Sequence, residues 1–299
     1  LNQESNQHRL GIAAALGAFT IWGLVPVYFK WIAAVPPLEI IVHRILWSIP
    51  MLAGFLLLRD GPGFWRRLRL PPRTVAILSL SGTLIVGNWL LFVWAINNDQ
   101  ILATSLGYFI TPLFNVLLGI IFLHERLTAI QIAAVAIATA GTVFLAWFLG
   151  VAPWLSLSLA ASVGFYVLLR KKLGVGPMVG LLWETLLLAA PAVVYLFWAT
   201  GHGVLVFAHS SLRLDLLLVL SGLITVLPLV WFNVAARHLA LSTVGFFQYI
   251  SPTTTSLLAV FVYHEAFTQG HAVAFTCIWL GLALVSSESF VRSRRVNSI

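Results

Sequence analysis

Charge is what this sequence is short of. Asp, Glu, Lys and Arg make up only 9% of its 299 residues, against about 25% in a soluble domain. Sixty per cent of the chain is apolar and its mean hydropathy is +0.99, so water is not its only solvent. Cysteine is nearly absent. With Cys277 alone, an intramolecular disulfide is excluded and the redox compartment is not legible. Catalytic signatures are lacking too. No glycine-rich phosphate loop is present, which argues against ATP hydrolysis. His124-Glu125 and His264-Glu265 lack the second histidine of a zinc-protease helix, so Glu125 and Glu265 read as structural charges at helix ends. No catalytic residue, metal or cofactor is expected.

What is present is a series of apolar runs. A helix crosses the hydrocarbon with about 20 mostly apolar residues. Ten spans are expected, at Leu10–Ala33, Leu38–Leu58, Thr74–Ile96, Ile101–Leu123, Thr128–Phe148, Trp154–Leu169, Met178–Ala199, Leu214–Ala236, Ser242–Tyr263 and Gly270–Glu288. Links as short as Asn97-Asn98-Asp99-Gln100 imply antiparallel neighbours, and no length is left for a separate soluble domain. Leu1 to Arg9 is polar with no cleavage-site pattern, and reads as a cytoplasmic tail rather than a signal peptide.

The net charge is +8. Nucleic-acid binding is the first reading of such a balance, but the cations cluster between apolar runs. That pattern fits an anionic cytoplasmic leaflet and topology control, so the expected partner is the lipid bilayer and not nucleic acid. With the N-terminus inside, the cytoplasmic segments hold Arg9, Arg59, Arg66, Arg67, Arg69, Arg73, Arg126, Arg170, Lys171, Lys172, Arg237, Arg292, Arg294 and Arg295. Lys30 and Arg213 fall outside and Arg44 lies within a span. Both termini are therefore expected in the cytoplasm of a multi-pass inner-membrane protein.

The chain also repeats itself. Thr111-Pro112, His124-Glu125, Ser81-Gly82 and Gly141 recur as Ser251-Pro252, His264-Glu265, Ser221-Gly222 and Gly281, all 140 residues on. Gly23, Lys30 and Pro50 recur as Gly164, Lys171 and Pro191 at an offset of 141. A shared offset through five spans marks a duplication. An odd number of spans per half inverts the second half. The expected fold is an all-α membrane protein of ten transmembrane helices, two inverted five-helix repeats around a central cavity. Residues 10–149 and 150–289 form the repeats, and 1–9 and 290–299 are cytoplasmic tails. Inverted repeats recur in secondary transporters, which hold substrate near the midplane between the halves.

Several motifs carry a family resemblance. Ser105-Leu106-Gly107-Tyr108-Phe109-Ile110-Thr111-Pro112-Leu113, followed by His124-Glu125-Arg126-Leu127, resembles the EamA family of drug/metabolite transporters. Pro36-Pro37-Leu38-Glu39, His43-Arg44, Trp47-Ser48 and Asn88-Trp89 resemble its RarD-like branch. Gln248-Tyr249-Ile250-Ser251-Pro252-Thr253 and His264-Glu265 carry the likeness into the second half. Two departures stand out: His124 and His264 stand where a glycine usually precedes the glutamate, and Thr111 stands where an asparagine usually precedes the first proline. The resemblance implies a central cavity and export of small metabolites, amino acids or drug-like compounds. Aromatic amino-acid exporters are among the relatives.

Candidate site residues follow from the cost of polarity in a bilayer. A charge at membrane centre costs at least ~2.5–3.5 kcal/mol on insertion scales, so Arg44 must face protein or water. It suits the carboxylate of a substrate, since guanidinium forks match carboxylates. It equally suits a structural pair with Glu184, onto which His43 maps at offset 141, and that pairing is slightly favoured. His43 could carry a proton, although one histidine is not a relay. Asn88, Trp89, Tyr108, Asn233, Gln248 and Tyr249 suit a cavity that grips an organic solute by apolar contact and a few oriented polar groups. Trp94, near a helix end, suits an interfacial belt. Pro112 and Pro252 read as hinges or fixed kinks. Ala134/Ala138 and Ala136/Ala140 allow close helix approach, within the bundle or across a homodimer seam; monomer and homodimer both remain open. The expected function is secondary export of amino acids or related solutes by alternating access. Drug efflux, an intramembrane enzyme and a non-transporting membrane subunit are the alternatives.

Overall fold

The structure, a computed structural model, describes residues 2–123, 128–149, 153–239 and 247–296. Among these every regular element is helical. In chain order they are α1 (Asn2–Trp31), α2 (Pro37–Asp60), a single turn at Gly61–Gly63, α3 (Phe64–Arg67), α4 (Pro72–Asn97), α5 (Ile101–Leu123), α6 (Ala129–Leu149), α7 (Trp154–Leu173), α8 (Pro177–Gly201), α9 (Leu212–His238), α10 (Ile250–Leu257), a wide turn at Leu258–Val262, and α11 (Gln269–Val296). Five stretches, Asn6–Trp31, Pro37–Asp60, Pro72–Asn97, Pro177–Gly201 and Leu212–Ala235, are long and apolar enough to cross a bilayer. Shorter apolar stretches accompany them, including Trp154–Arg170 and Ile250–Val262.

The helix boundaries have local causes. α2, α4 and α8 each begin on a proline, whose missing N–H is of no consequence in a first turn. α9 begins at Ser211, whose hydroxyl accepts the Leu214 N–H at 3.3 Å, with Asp215 in the first turn; both suit the positive end of the helix. α7 stops at Gly174, in the left-handed conformation.

The ninth expected span is not one helix. Its start at Ser242, with Phe246, lies outside the described residues, as do His124, Glu125 and Arg126. The chain turns at Gln248 and Tyr249 and re-enters helix at Ile250. Pro252 accounts for the break: it has no N–H, and its ring crowds the carbonyl four residues back, at Gln248. Ser105 of α5 then donates to the Pro252 carbonyl at 2.8 Å. Pro252 thus begins a new helix at a helix crossing, whereas Pro112 lies within α5.

Helices of one half of the chain pack on helices of the other. α1 lies against α9 and α10, α2 against α8 and α9, α4 against α7 and α8, α5 against α7 and α10, and α6 against α11. α6 and α11 approach each other closely. A methyl on Gly281 would lie 2.8 Å from the Ala134 carbonyl oxygen, and one on Gly141 would meet Cys277 and the Ala274 carbonyl oxygen. Ala134 and Ala138 are buried in this contact, while Ala136 and Ala140 are exposed. Outward faces carry large apolar side chains, among them Trp147, Val194, Phe197 and Phe261, as a lipid-facing surface requires. Trp94 is partly exposed at the end of α4, 6.0 Å from the Trp154 ring.

One end of the bundle is tied by polar contacts between distant segments. Lys30 pairs with Asp99 at 2.5 Å and lies over the Tyr263 ring. The Glu265 carboxylate accepts the Ile101 and Leu102 N–H groups at 2.6 and 2.7 Å, capping α5 from the far half of the chain. Burial nonetheless leaves this carboxyl above its ordinary range, with those two bonds opposing the shift. His264 aims it by adopting a φ of 55°. That is the region glycine prefers and histidine tolerates, so a glycine would stand here without strain.

Two outcomes are expected in thermal melts of detergent-solubilised protein. Gly281→Ala and Gly141→Ala lower the midpoint, by overpacking worth about 1–3 kcal/mol, whereas Gly54→Ala, with open space at its Cβ, does not. His264→Gly leaves the midpoint unchanged or raises it, because it relieves a left-handed backbone worth about 1–2 kcal/mol.

Candidate functional site

Buried polarity concentrates on α2, where Glu39, His43, Arg44 and Ser48 are all buried. Arg44 is 8% exposed. Its Nε donates to Thr225 Oγ1 of α9 at 2.6 Å, and Thr225 is held in turn by the Ser221 carbonyl at 2.9 Å. The guanidinium lies 4.0 Å from the centre of the Trp89 ring and 5.9 Å from that of Phe29. The Tyr28 and Tyr108 hydroxyls are within its electrostatic reach. Among the described residues no carboxylate lies within ion-pair distance of Arg44, and its terminal nitrogens have no hydrogen-bond partner.

The surrounding groups are fixed from several helices. Tyr108 of α5 donates to Asn88 Oδ1 at 3.2 Å. The Asn88 amide donates to the Leu159 carbonyl at 3.1 Å and to Ser162 at 2.9 Å, both on α7. Tyr28 of α1 donates to the Leu217 carbonyl of α9 at 2.8 Å. The result is a guanidinium stacked on an indole and ringed by neutral hydroxyl and amide groups. Such a site attracts an anionic or zwitterionic group and offers it an aromatic wall.

Glu184 belongs elsewhere, and the expected pair with Arg44 is not formed. Its Oε1 lies 3.7 Å from Arg170 Nη1 and accepts from Ser81 at 2.6 Å, while Oε2 accepts from Tyr166 at 3.3 Å. Arg170 reaches it by lying flat across Gly180, where any Cβ would overlap the guanidinium, and it also donates to the Val175, Gly176 and Pro177 carbonyls. The sequence offset placed Glu184 opposite His43 in the repeat, but repeat equivalence is not contact: α2 and α8 also face other helices, and each acid or base took the nearest partner there.

Of the residues singled out in the sequence, Arg44, Asn88, Trp89 and Tyr108 come together. His43 turns to another face of α2. Asn233 donates to its own helix, at the Leu229 carbonyl 2.7 Å away. Gln248 is exposed and Tyr249 half-buried at the start of α10. Asn115 Oδ1 is buried without a partner. Tyr28, Thr225 and Glu39 were not singled out as site residues. Ser221-Gly222, repeated from Ser81-Gly82, was the available pointer to α9, and Thr225 lies one turn beyond it. Among the described residues no cluster of side chains could hold a metal ion.

Comparisons with known proteins bear on this arrangement. The profile of the EamA-like transporter family matches residues 9–147. An uncharacterized transporter of Pseudomonas aeruginosa is 44% identical over 96% of this chain and 97% of its own length. Protein RarD of Escherichia coli is 41% identical over 98% and 99%. A chloramphenicol-sensitive protein RarD of Pseudomonas aeruginosa is 33% identical over 93% and 94%. One solved crystal structure aligns with a TM-score of 0.60 at 19% identity, over 92% of this chain and 96% of that one, a likeness of fold alone. With relatives this similar along nearly its whole length, the chain belongs to the EamA-like transporter family, on its RarD-like side, and is a membrane transporter rather than an enzyme.

Proposed function

We propose that this chain exports amino acids or related small organic solutes across the cytoplasmic membrane by alternating access, with Arg44 receiving the substrate's carboxylate. The observation that carries this reading is the state of Arg44: a buried guanidinium stacked on Trp89 and bonded to Thr225, with no carboxylate beside it among the described residues. A permanent cation with no counter-ion among the described residues is matched by one that arrives and departs. Asn88, Tyr108 and Tyr28 supply neutral polar groups around it, and Trp89 and Phe29 an apolar wall. His43, Asn233, Gln248 and Tyr249 remain candidates for the access path rather than the carboxylate site.

The same reading places ten spans as two inverted five-helix repeats around the site, with both termini cytoplasmic. Helix packing supports it. If α1, α2, α4, α5 and α6 correspond to α7, α8, α9, α10 and α11, then α1 on α9 matches α4 on α7. Likewise α1 on α10 matches α5 on α7, and α2 on α9 matches α4 on α8. Arg59, Arg66, Arg67, Arg69, Arg73 and Arg170 end, follow or begin helices at the end of the bundle opposite the Lys30–Asp99 pair, as an inward-facing end requires. Pro112, within α5, and Pro252, in the first turn of α10, are equivalent in the sequence repeat and suit hinges between the two access states. Drug efflux by the same fold is a second reading, favoured by the name of the chloramphenicol-sensitive relative.

Reconstituted vesicles loaded with radiolabelled amino acids, in parallel with chloramphenicol, test both readings. Arg44→Ala is expected to cut amino-acid flux roughly ten- to a hundred-fold, from the ~1.5–3 kcal/mol of a charged hydrogen bond, with near-normal melting. Glu184→Ala is expected to act on the fold instead, losing about 3–5 kcal/mol by stranding Arg170. Protein-independent leakage of every solute in the panel would end the transporter assignment for these substrates. Equal destabilisation by both variants would make Arg44 a structural group.

A further inference from the structure

The repeat gives each contact between the halves a counterpart. Equivalent residues stand 141 apart for α1 and α2, and 140 apart for α4, α5 and α6. Where α6 crosses α11 the two versions agree. A Cβ on Gly141 would meet the Ala274 carbonyl oxygen at 3.3 Å, and one on Gly281, its equivalent, would meet that of Ala134, the equivalent of Ala274, at 2.8 Å. They agree again where α1 meets α10 and α7 meets α5. A Cβ on Gly23 would touch Thr254, and one on Gly164, its equivalent, would touch Phe114, the equivalent of Thr254.

One pair of crossings does not agree. Gly82 of α4 packs on Glu184 of α8, where a Cβ would lie 3.2 Å from that of Glu184. By symmetry Gly222 of α9 would pack on His43 of α2. It packs instead on Trp47, whose backbone and Cβ stand 2.6–2.8 Å from the same construction, one helical turn further along α2. The hydroxyls beside these glycines differ in the same way. Ser81 donates to the Leu78 carbonyl of its own helix at 3.1 Å and to Glu184 at 2.6 Å. Ser221 keeps the first of these bonds, to the Leu218 carbonyl at 2.6 Å, but lies beside the Tyr28 hydroxyl and lacks the second. His43, the equivalent of Glu184, uses Nδ1 to accept the Trp47 indole N–H at 3.3 Å. Its Nε2 is buried with no hydrogen-bond partner. A buried polar atom left unpaired calls for a reason, and here the hydroxyl that symmetry assigns to it stands one turn away.

We propose that the α2–α9 and α4–α8 crossings are the moving contacts of this molecule, and that its second access state exchanges their registers. In that state Gly222 faces His43, and Gly82 faces Leu188, the equivalent of Trp47. The travel is one helical turn, about 5.4 Å, a step that packed helices take as a ratchet between two discrete fits. Ser221 then reaches His43 Nε2 while Ser81 leaves Glu184, so one buried bond forms as its equivalent breaks. The α6–α11 contact, alike in both directions, stays as the pivot. Thr225 lies one turn beyond Ser221 on α9, so the slide also parts it from Arg44 and couples the guanidinium to the register. The exchange rests on the inverted-repeat, alternating-access reading above, in which one repeat rocks against the other; it does not rest on the identity of the solute.

Two measurements on the full chain in vesicles test this, both in a Cys277→Ala background that leaves no native thiol. In His43→Cys/Ser221→Cys, an oxidant or a short bifunctional thiol reagent is expected to link α2 to α9. Absence of the link in a double variant with near-native melting overturns the proposal. The second measurement follows thiol labelling by a membrane-impermeant maleimide. Leu102→Cys reports on the Lys30–Asp99 end and Leu56→Cys on the opposite end; both leucines are buried. Ser81→Ala removes a bond made only in the present register. It is expected to speed labelling of Leu102→Cys about two- to tenfold, the worth of one hydrogen bond, with no rise at Leu56→Cys. An unmoved rate at Leu102→Cys, or a rise at both ends, overturns the proposal, since the second result marks general loosening. This measurement decides alone if the double variant does not assemble. If no amino acid moves even with the native chain, the substrate reading fails while the link and the labelling still decide the register.

Discussion

A permanent cation inside an apolar helix bundle has to be made tolerable by something, and around Arg44 much of the central packing serves that need. Among the described residues no carboxylate does it. A hydroxyl on Nε, the faces of two aromatic rings and a ring of neutral dipoles share the task. Each of these comes from a different helix: Thr225 from α9, Trp89 from α4, Tyr108 from α5, Phe29 and Tyr28 from α1. The cation therefore constrains the relative placement of four helices besides its own. An arrangement that satisfied Arg44 with a glutamate would be more self-contained and would leave nothing for a visiting anion.

Glu184 illustrates the contrast. Its carboxylate is taken up by Ser81, Tyr166 and the neighbouring Arg170, so its polarity is consumed locally. Both charges are buried and both sit at helix crossings, yet one is closed and the other open. The difference lies in how many strong acceptors and donors the neighbours provide, not in the depth of the residue. Glu39 takes a third course, with its oxygens committed to backbone N–H groups and an imidazole held just out of reach.

Much of this was legible in the chain itself. Hydropathy located most of the helices to within a few residues because an apolar stretch of sufficient length has few alternatives in lipid. But α1 begins at Asn2 and α11 runs to Val296, well outside the apolar runs expected to start at Leu10 and stop at Glu288, and the ninth expected span is broken. Arg44, Asn88, Trp89 and Tyr108 were legible as a group because polar atoms in such stretches must face protein. Asn233 and Gln248 satisfied the same criterion and do not join them: an amide can bond back to its own helix, as Asn233 does, or lie exposed at a helix break, as Gln248 does. Glu39 was visible in a motif but not as an anchor for the α8–α9 connection, because near a helix start a glutamate reads as an ordinary terminal charge. The break at Gln248 was written in Pro252, although the sequence did not say whether that proline would kink a helix or begin one.

The sequence alone determined the solvent, the helical class and the family likeness. These depend on composition, run length and residue order, which are properties of one chain read locally. The tertiary structure decided which charge met which partner. Arg44 found Thr225 at 181 residues' separation, Glu39 found Val206 at 167, and Glu265 found Ile101 at 164. No local pattern encodes such encounters. They follow from which helix faces lie against each other, and the close approaches at Gly141, Gly180 and Gly281 settle that by where a side chain has no room to stand.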